Sequence, residues 1–580
     1  MVRQFSITVD NGVSIPMRDG VRLIADIYRP AKPGTWPVIL QRTPYGRIMP
    51  SSFAIRAAGA GYVVVIQDTR GRWDSEGTFH AFPNEQRDGF DTCAWICSQP
   101  WSNERIGMFG ASYVGLTQWQ AALAGAPGLQ AIVPNVTAAD YHEGWTYQGG
   151  AFELSFNKSW TMTWLASDTA RRLVAADPSQ QAKLDALYDR TDAMEDDFAQ
   201  MPLAGDPLLA ELAPYYDEWL AHPDHGPLWD RIKVDGNYGQ LDQAVLHCGA
   251  WYDIFLGGTL LNFQEMQKGA KTATAQANQR LLIGPWDHMT IGNATPVGTY
   301  DPGVRSWHAT IDFDGIHLRF YDRHLRDLDN GLDGEDPVRI FVMGENRWRS
   351  EMEWPLARTL YVDYFLHSHG AANTLHGDGT LSPEEPGFGE RPDHYIYDPL
   401  NPVPTAGGAL CCNEAKSNGG VEDQRHVEAR SDVLCYTTAP LAQPTEITGP
   451  ITVTLFAATS AVDTDWTAKL VDVCPCGCVR NLTDGIIRAR YRQGTSRQVL
   501  LTPGEIYEYT IDLWATSMRF PAGHQIRLEI SSSNFPRFDR NPNTGGDIAT
   551  ATREECVVAF QTVHHTPEYP SRITLPMIHD

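Results

Sequence analysis

One short stretch of the sequence places a serine in a setting typical of a catalytic nucleophile. The apolar residues 106–109 predict the end of a strand, Gly110 and Gly115 flank Ser112, and a helical pattern follows. A serine on such a strand-to-helix elbow points its hydroxyl out above the sheet, at the positive end of the next helix. The spacing departs from the usual G-x-S-x-G because Val114 stands where the second glycine belongs. The alternative interpretation is an ordinary glycine-rich turn.

An acid and a histidine follow later strands in the order that a serine nucleophile on a parallel sheet requires. Residues 244–251 and 279–283 each predict a strand, and Asp253 and His288 come shortly after them. Both side chains therefore belong at the carboxyl edge of the sheet. The alternatives are a helix N-cap for Asp253 and a purely structural role for His288. Asp287 is a poor partner for His288 because adjacent side chains diverge.

These residue types fit acyl transfer through a covalent intermediate. We expect His288 to take the proton of Ser112, whose free hydroxyl is too weakly acidic at neutral pH, and Asp253 to orient the imidazole. An oxyanion hole is needed as well. One expected donor is the backbone N–H of Tyr113, and the other is the hydroxyl of Tyr45, which follows the third predicted strand. A role for Tyr45 as a pocket wall alone is the alternative.

The elements around these residues predict an α/β fold with a doubly wound parallel sheet. Strands and helices alternate between residues 37 and 134, and residues 61–66 have the apolar run of a central parallel strand. The alternation resumes after residue 240 and continues to residue 343. We therefore assign residues 1–136 and 241–347 to one α/β core.

Two regions depart from this alternation. Residues 137–240 lack strand patterns and are rich in aromatic residues and helical periods, which predicts a helical cap inserted over the sheet. Residues 348–580 contain short alternating runs between glycine, proline and asparagine turns. This pattern predicts a C-terminal β-sandwich, which we assign as a jelly roll.

Length, charge and apolar runs exclude several classes of function. A chain of 580 residues with 42% hydrophobic residues is long enough for several globular domains. Its formal net charge of −25, with no sustained basic stretch, argues against nucleic acid or an anionic membrane as partner. The N-terminus lacks a signal-peptide pattern and no apolar run could span a membrane, so we expect a cytoplasmic protein. A homo-oligomer is left open.

The ten cysteines indicate neither a disulfide framework nor a metal site. Cys474, Cys476 and Cys478 lie between two predicted strands, where Pro-Cys-Gly is typical of a hairpin turn. No second His/Cys pair accompanies them at zinc-ligand spacing. The adjacent Cys411 and Cys412 are no better as metal ligands. We therefore expect no metal and no other cofactor.

Several motifs together resemble the cocaine-esterase-like serine hydrolases, which are related to X-prolyl dipeptidyl aminopeptidases and α-amino acid ester hydrolases. The elbow of this family carries its second glycine one place late, which accounts for Val114. The matching stretches extend over nearly the whole chain and are Arg42-Thr-Pro-Tyr45-Gly, Gln67-Asp-Thr-Arg-Gly-Arg-Trp-Asp-Ser-Glu-Gly77, Gly110-Ala-Ser112-Tyr-Val-Gly115, Gly249-Ala-Trp-Tyr-Asp253, Gly284-Pro-Trp-Asp-His288, Gly485-Ile-Ile-Arg-Ala-Arg-Tyr-Arg and Ser531-Ser-Ser-Asn-Phe-Pro-Arg-Phe-Asp-Arg-Asn-Pro-Asn-Thr-Gly545.

The resemblance implies an α/β-hydrolase core, a helical cap and a C-terminal jelly roll. It also implies serine esterase or acylase chemistry, with Tyr45 in the oxyanion hole. Trp145 and Phe255 are similar to positions that line the acyl or aromatic pocket, and membership of the core is their alternative role. We expect Trp286, inside the motif that carries His288, to line the same pocket.

One departure separates this chain from the amino-ester branch of the resemblance. The α-amino acid ester hydrolases hold a substrate ammonium with carboxylates, some of them directly after the triad aspartate. Here Asp253 is followed by Ile254, Phe255 and Leu256, so a buried ammonium would lose its hydration without compensation. This disfavours the amino-ester and dipeptidyl-peptidase interpretations.

The sequence therefore predicts a carboxylic-ester hydrolase that acts on a small molecule. The alternative is an amidase, acylase or acyltransferase with the same triad, including X-prolyl dipeptidyl-peptidase-like or amino-acid ester hydrolase activity. A carbohydrate-binding protein with a relic hydrolase half is disfavoured, because Ser112, Asp253, His288 and Tyr45 are all present.

Overall fold

The first part of the chain alternates strands with helices. The computed structural model describes residues 5–48, 51–292, 296–412 and 419–579. The elements before residue 137 are β1 (Ile7–Pro16), β2 (Arg22–Pro30), β3 (Trp36–Thr43), α1 (Ser52–Gly59), β4 (Val63–Asp68), α2 (Glu85–Cys97), β5 (Ser102–Ala111), α3 (Tyr113–Leu123) and β6 (Leu129–Asn135).

A mainly helical segment follows β6. Its elements are β7 (Tyr147–Gln148), β8 (Ala151–Phe152), α4 (Leu154–Trp160), a π-helical turn (Thr161–Ala166), α5 (Ser167–Ala176), α6 (Gln181–Asp192), α7 (Met194–Ala199), α8 (Pro207–Leu212), α9 (Tyr215–Leu220) and α10 (Pro227–Asp230). The chain then returns to alternating elements, which are β9 (Ala244–Tyr252), α11 (Leu256–Gly269), α12 (Ala273–Ala277), β10 (Gln279–Asp287), α13 (His308–Ile311), α14 (Phe313–Arg326), β11 (Val338–Val342) and β12 (Arg347–Glu351).

The last part is built almost entirely of strands. They are β13 (Leu360–His367), β14 (Thr380–Ser382), β15 (Asp393–Tyr397), β16 (Leu434–Thr437), β17 (Thr445–Thr459), β18 (Asp465–Val473), β19 (Val479–Arg488), β20 (Tyr507–Phe520), β21 (Gln525–Ser531), β22 (Ala559–Thr566), β23 (Tyr569–Pro570) and β24 (Arg572–Ile578), with the short helix α15 (Arg425–Glu428) between β15 and β16. These strands form one twelve-stranded sheet, in which β13 and β24 pair in antiparallel register from Leu360↔Met577 onwards.

The first sheet has ten strands in the order β1-β2-β4-β3-β5-β6-β9-β10-β11-β12. Its central run from β4 to β11 is parallel, whereas β1, β2 and β12 pair in antiparallel register. All residues of β4 and β9 are buried, as expected for parallel strands covered on both faces. The predicted α/β fold with a β-rich C-terminal part is therefore confirmed.

The carboxyl ends of the parallel strands lie along one edge of the sheet. The loops that follow β3, β5, β9 and β10 all leave the sheet there, and they carry Tyr45, Ser112, Asp253 and His288 respectively. Within the described ranges, no helix combines the length and apolar character that crossing a membrane would require.

A buried ion-pair network joins the helical segment to the C-terminal sheet. Arg488, at the end of β19, is 2% exposed and contacts Asp465 at 2.9 Å and Asp539 at 2.6 Å. Its guanidinium also donates to the carbonyl of Gly150, and Asp539 accepts a hydrogen bond from the backbone N–H of Phe152. The same arginine therefore neutralises two buried carboxylates and fixes the β7–β8 hairpin against the sheet.

We expect Arg488→Met to destabilise the protein strongly. The substitution leaves two buried carboxylates without a cation, and removing one partner of a buried pair costs about 3–5 kcal/mol. The measurement is urea unfolding followed by tryptophan fluorescence. The control is Arg572→Met, whose partner Asp363 lies 3.2 Å away in a partly exposed pair that contributes about 1 kcal/mol at most. An equal loss of unfolding free energy in the two variants would contradict the stabilising role of Arg488.

Candidate active site

Ser112 lies on a strained elbow between β5 and α3. Its backbone has φ 62° and ψ −125°, a conformation that non-glycine residues rarely adopt. A Cβ on Gly110 would lie 2.2 Å from Val114, and a Cβ on Gly115 would lie 2.8 Å from Thr137. The two glycines are therefore required by close packing on either side of the elbow, and Val114 occupies the space that Gly110 leaves open.

Asp253 and His288 meet across the neighbouring strand ends. His288 Nδ1 lies 2.7 Å from Asp253 Oδ1, and both side chains are almost fully buried. Burial raises the pKa of the Asp253 carboxyl above its ordinary value, while the hydrogen bond to His288 opposes that rise. The contact leaves His288 Nε2 as the ring nitrogen available for another partner. The helix α11 begins only at Leu256, so Asp253 is not its N-cap residue.

Asp287 has a separate role in the turn after β10. Its carboxylate accepts hydrogen bonds from the backbone N–H groups of Met289 and Thr290, at 3.0 and 2.8 Å. It therefore shapes the turn that carries His288 and does not contact the imidazole as Asp253 does.

The hydroxyl of Tyr45 lies beside Ser112. It accepts a hydrogen bond from the indole N–H of Trp160 at 3.0 Å, and the Ser112 side chain lies near enough to oppose part of the rise in the Tyr45 pKa. Burial raises the pKa of Tyr45 to about 12, so the phenol keeps its proton at neutral pH. A neutral phenol with an acceptor bond already made is able to donate its own proton to an oxygen in the pocket.

Tyr113 has two separate roles: its side chain is hydrogen-bonded in the core, and its backbone N–H lies at the start of α3. Its hydroxyl donates to Glu85 at 3.0 Å and accepts from the backbone N–H of Phe82, which anchors the elbow in the core. Glu85 is in turn paired with the buried Arg42 at 2.6 Å. Tyr113 is also the first residue of α3, a position whose N–H has no acceptor within the helix. That N–H is free of the helical ladder and adjoins Ser112.

Ser112, His288 and Tyr45 line one pocket of about 490 Å³. Much of its wall is aromatic or apolar, and the larger such residues are Phe53, Trp160, Trp164, Met289 and Ile291. Cys412, from the C-terminal part of the chain, completes the lining. Sequence patterns did not predict Trp160, Trp164 or Cys412 as pocket residues. The spacing of the two tryptophans, four apart on a helix, was a signal that could have been used, whereas Cys412 had none.

Trp145 and Phe255 form an aromatic layer behind the pocket. Their rings stack at 4.2 Å with an interplanar angle of 9°, and both residues are 1% exposed. The Phe255 ring lies 5.1 Å from the His288 ring, edge to face, and Trp145 lies 5.6 Å from Trp160. They therefore pack directly against residues that line the pocket.

Trp286, which the sequence predicts in the pocket wall, is not among the residues that line this pocket. Its side chain is fully buried and its indole N–H donates to the carbonyl of Ser306. The ring packs against Phe313 and Trp348, at 5.9 and 5.7 Å. Trp286 lies two residues before His288, and in this position its side chain extends into the core beneath the sheet edge.

A buried arginine holds the Tyr45 loop against the helical segment. Arg72 is completely buried and donates to three backbone carbonyls, those of Pro44, Trp164 and Leu165, at 3.0, 2.7 and 2.7 Å. Trp164 and Leu165 lie in the π-helical turn, whose widened backbone presents these carbonyls. Arg72 belongs to a motif that matched in sequence, but its positioning role was visible only in three dimensions.

The described part of the chain brings no three His, Cys, Asp or Glu side chains together as a metal site. Cys474 and Cys476 are joined in a disulfide at the β18–β19 turn, and Cys411 and Cys412 are joined in a second one. Four of the five cysteines considered as metal ligands are therefore in disulfides, and Cys478 is the free one.

Comparison with known proteins relates both halves of the chain to one group of enzymes. Residues 19–290 match the X-Pro dipeptidyl-peptidase (S15) family, and residues 330–574 match the X-Pro dipeptidyl-peptidase C-terminal non-catalytic domain. Cocaine esterase from Rhodococcus sp. (strain MB1 Bresler) is 41% identical over 98% of this chain and 99% of its own length.

Two solved structures share the whole architecture. An α-amino acid ester hydrolase superposes with a TM-score of 0.80 at 25% identity, over 99% of this chain and 97% of its own. An aminopeptidase from a marine sediment Thaumarchaeota archaeon gives a TM-score of 0.79 at 26% identity, with the same coverage. The similarity therefore includes the first sheet, the helical segment and the β-rich C-terminal part.

We expect Arg72→Lys to lower kcat by about 10- to 100-fold, because a displacement of about 1 Å at a reacting group has that effect. Lysine keeps the positive charge, but its compact ammonium lacks the planar guanidinium that lets Arg72 donate to three carbonyls at once. The measurement is kcat for an ester substrate, together with the thermal unfolding midpoint. The matched control is Arg171→Lys on α5, which is exposed and lies over the Trp73 ring. Unchanged kcat in a folded Arg72→Lys protein would contradict the positioning role.

Proposed function

The chain belongs to the cocaine-esterase-like serine hydrolases of the X-Pro dipeptidyl-peptidase (S15) family, and we propose how this serine carboxylic-ester hydrolase works. Ser112 attacks the ester carbonyl, His288 accepts its proton, and Asp253 orients the imidazole and stabilises its charged form. The observation that carries the proposal is the convergence of Ser112, His288 and Tyr45 in one pocket, with His288 hydrogen-bonded to Asp253.

The tetrahedral intermediate develops a negative oxygen that needs hydrogen-bond donors. The Tyr45 hydroxyl and the Tyr113 backbone N–H supply them in our proposal. Support comes from the position of Tyr45 beside Ser112, from its raised pKa, which keeps it protonated, and from the place of Tyr113 at the start of α3. Collapse of the intermediate releases the alcohol, with His288 returning the proton, and leaves an acyl-enzyme. Water activated by the same histidine then releases the acid.

The pocket favours esters with an uncharged acyl group over peptides or esters that carry a free ammonium group. None of the described residues that line it is acidic, and Ile254, Phe255 and Leu256 after Asp253 are all buried. A substrate ammonium would lose its hydration there without gaining a counter-ion. Amidase, acylase or dipeptidyl-peptidase activity with the same residues is therefore the second candidate, supported by the family rather than by this pocket.

We also propose a division of the chain into a cap, a jelly roll and an α/β core. Residues 137–240 form a cap over the pocket, supported by Trp160 and Trp164 in its wall, and residues 348–580 form a jelly roll. The α/β core then comprises residues 1–136 and 241–347. A cytoplasmic location and the oligomeric state stay predictions.

A fluorophosphonate probe and paired substrates test the function directly. We expect the probe to label the wild-type protein and not Ser112→Ala, whose kcat should fall by about 10⁶-fold as in other serine hydrolases. Among matched p-nitrophenyl esters and p-nitroanilides, kcat/KM should be far higher for the esters. Absence of labelling would refute the nucleophile, and anilide turnover equal to ester turnover would favour the amidase alternative.

We expect Tyr45→Phe to lower kcat by about 10²–10³-fold with little change in KM, because one oxyanion donor is removed while the pocket wall keeps its shape. The measurement is steady-state kinetics on a p-nitrophenyl ester. The control is Tyr361→Phe, an exposed tyrosine on β13 that is 52% accessible. A rise in KM at unchanged kcat would instead assign Tyr45 to the pocket wall alone.

A further inference from the structure

Two adjacent cysteines place a disulfide in the wall of the proposed active site. Cys411 and Cys412 are bonded to each other, and Cys412 lines the pocket that also holds Ser112 and His288. The other six cysteines outside the two disulfides are free thiols. A disulfide between neighbouring residues closes a small ring with the peptide bond between them, so both side chains are fixed together.

The segment that carries the two cysteines is held by backbone hydrogen bonds within the C-terminal part and to the segment that follows His288. Gly408 and Gly420 exchange two backbone hydrogen bonds, and Val421 pairs with Val297 in the segment after His288. Cys411 packs in the same apolar cluster as the aromatic layer of Trp145 and Phe255. The disulfide therefore packs into the apolar core that the first sheet and the helical segment share.

We propose that the Cys411–Cys412 disulfide is a reducible wall of the substrate pocket, so that binding of bulky esters depends on the thiol–disulfide state of the protein. This inference rests on the proposed esterase function. Cys412 is the member of the pair that lines the pocket, and a volume of about 490 Å³ admits a small dithiol beside it. The remote Cys474–Cys476 disulfide has no such position.

The reduction is an ordinary thiol–disulfide exchange. A thiolate of the dithiol attacks the Cys412 sulfur, the Cys411–Cys412 bond breaks, and the Cys411 thiolate takes up a proton. The second thiol of the reductant then attacks the mixed disulfide, releasing Cys412 as a thiol and closing the reductant into a cyclic disulfide. The protein gains two electrons and two protons, and the dithiol loses them.

Opening the ring lets the two side chains move independently. Cys412 has φ 68°, a left-handed conformation that a non-glycine residue holds only when its surroundings impose it. Once the ring is open, the wall beside Cys412 can relax, and an acyl group that fills the pocket loses contacts. A short acyl group next to Ser112 loses little, because the residues proposed for catalysis are unchanged.

The test compares two p-nitrophenyl esters before and after treatment with dithiothreitol. We expect KM for the octanoate to rise by about tenfold on reduction, the scale on which pocket contacts discriminate substrates. KM and kcat for the acetate should change less than about twofold. Alkylation followed by mass spectrometry reports whether Cys411 and Cys412 are thiols in each sample.

Variants of the two disulfides separate the pocket effect from reduction elsewhere. Cys474→Ala/Cys476→Ala should keep the full response to dithiothreitol, whereas Cys411→Ala/Cys412→Ala should lose it. If Cys411→Ala/Cys412→Ala does not fold, the comparison of the wild-type protein with Cys474→Ala/Cys476→Ala still tests the inference. An unchanged KM for the octanoate after confirmed reduction of Cys411 and Cys412 would overturn the inference, as would free thiols at both positions in the untreated protein.

Fluorophosphonate labelling of Ser112 in both redox states separates this inference from the function on which it rests. Labelling in both states with no shift in KM refutes the reducible wall and leaves the esterase intact. Absence of labelling in both states refutes the proposed function itself. Labelling in both states with the expected shift in KM supports both.

Discussion

A buried guanidinium connects the two sides of the pocket. Arg72 connects the carbonyl next to Tyr45 with two carbonyls of the π-helical turn that carries Trp164. Burying an ion costs several kcal/mol, and here that cost is offset by the three carbonyls and by Asp168 at 3.5 Å. The guanidinium is rigid and planar, so it fixes the relative positions of these three carbonyls. Arg172 on α5 adds hydrogen bonds from the helical segment to the carbonyls of Trp73 and Ser75.

The elbow beside that contact is strained and is held by its surroundings. A left-handed backbone at a residue such as Ser112 costs about 1–3 kcal/mol, which the local packing must offset. The contributions come from both sides of the sheet edge: Tyr113 hydrogen-bonds to Glu85, and Glu85 pairs with the buried Arg42. The strained elbow is therefore anchored by a buried polar network that connects Arg42, Glu85 and Tyr113.

The sequence was most informative where structure follows from local pattern. Apolar runs predicted the strands of the parallel sheet, and the position of a polar residue just beyond each strand predicted that Ser112, Asp253 and His288 would meet at one edge. Side-chain direction was harder to predict. Trp286 shares a motif with His288 yet turns into the core, because Trp286 still belongs to β10 whereas His288 lies in the turn that follows the strand. Arg72 and Cys412 make contacts across long sequence separations that no local pattern encodes.

The residues proposed for catalysis and the residues of the pocket wall are positioned in different ways. The residues proposed for catalysis lie at strand ends, where the sheet fixes their spacing within narrow limits. The pocket wall instead comes from three separate parts of the chain: the strands, loops and helices of the first sheet, the end of α4 with the π-helical turn, and Cys412. These parts are also joined through backbone groups. Arg72 donates to carbonyls of the π-helical turn, and the backbone N–H of Val421 donates to the carbonyl of Val297. In this chain the apolar wall and its disulfide are the features that determine which esters fit.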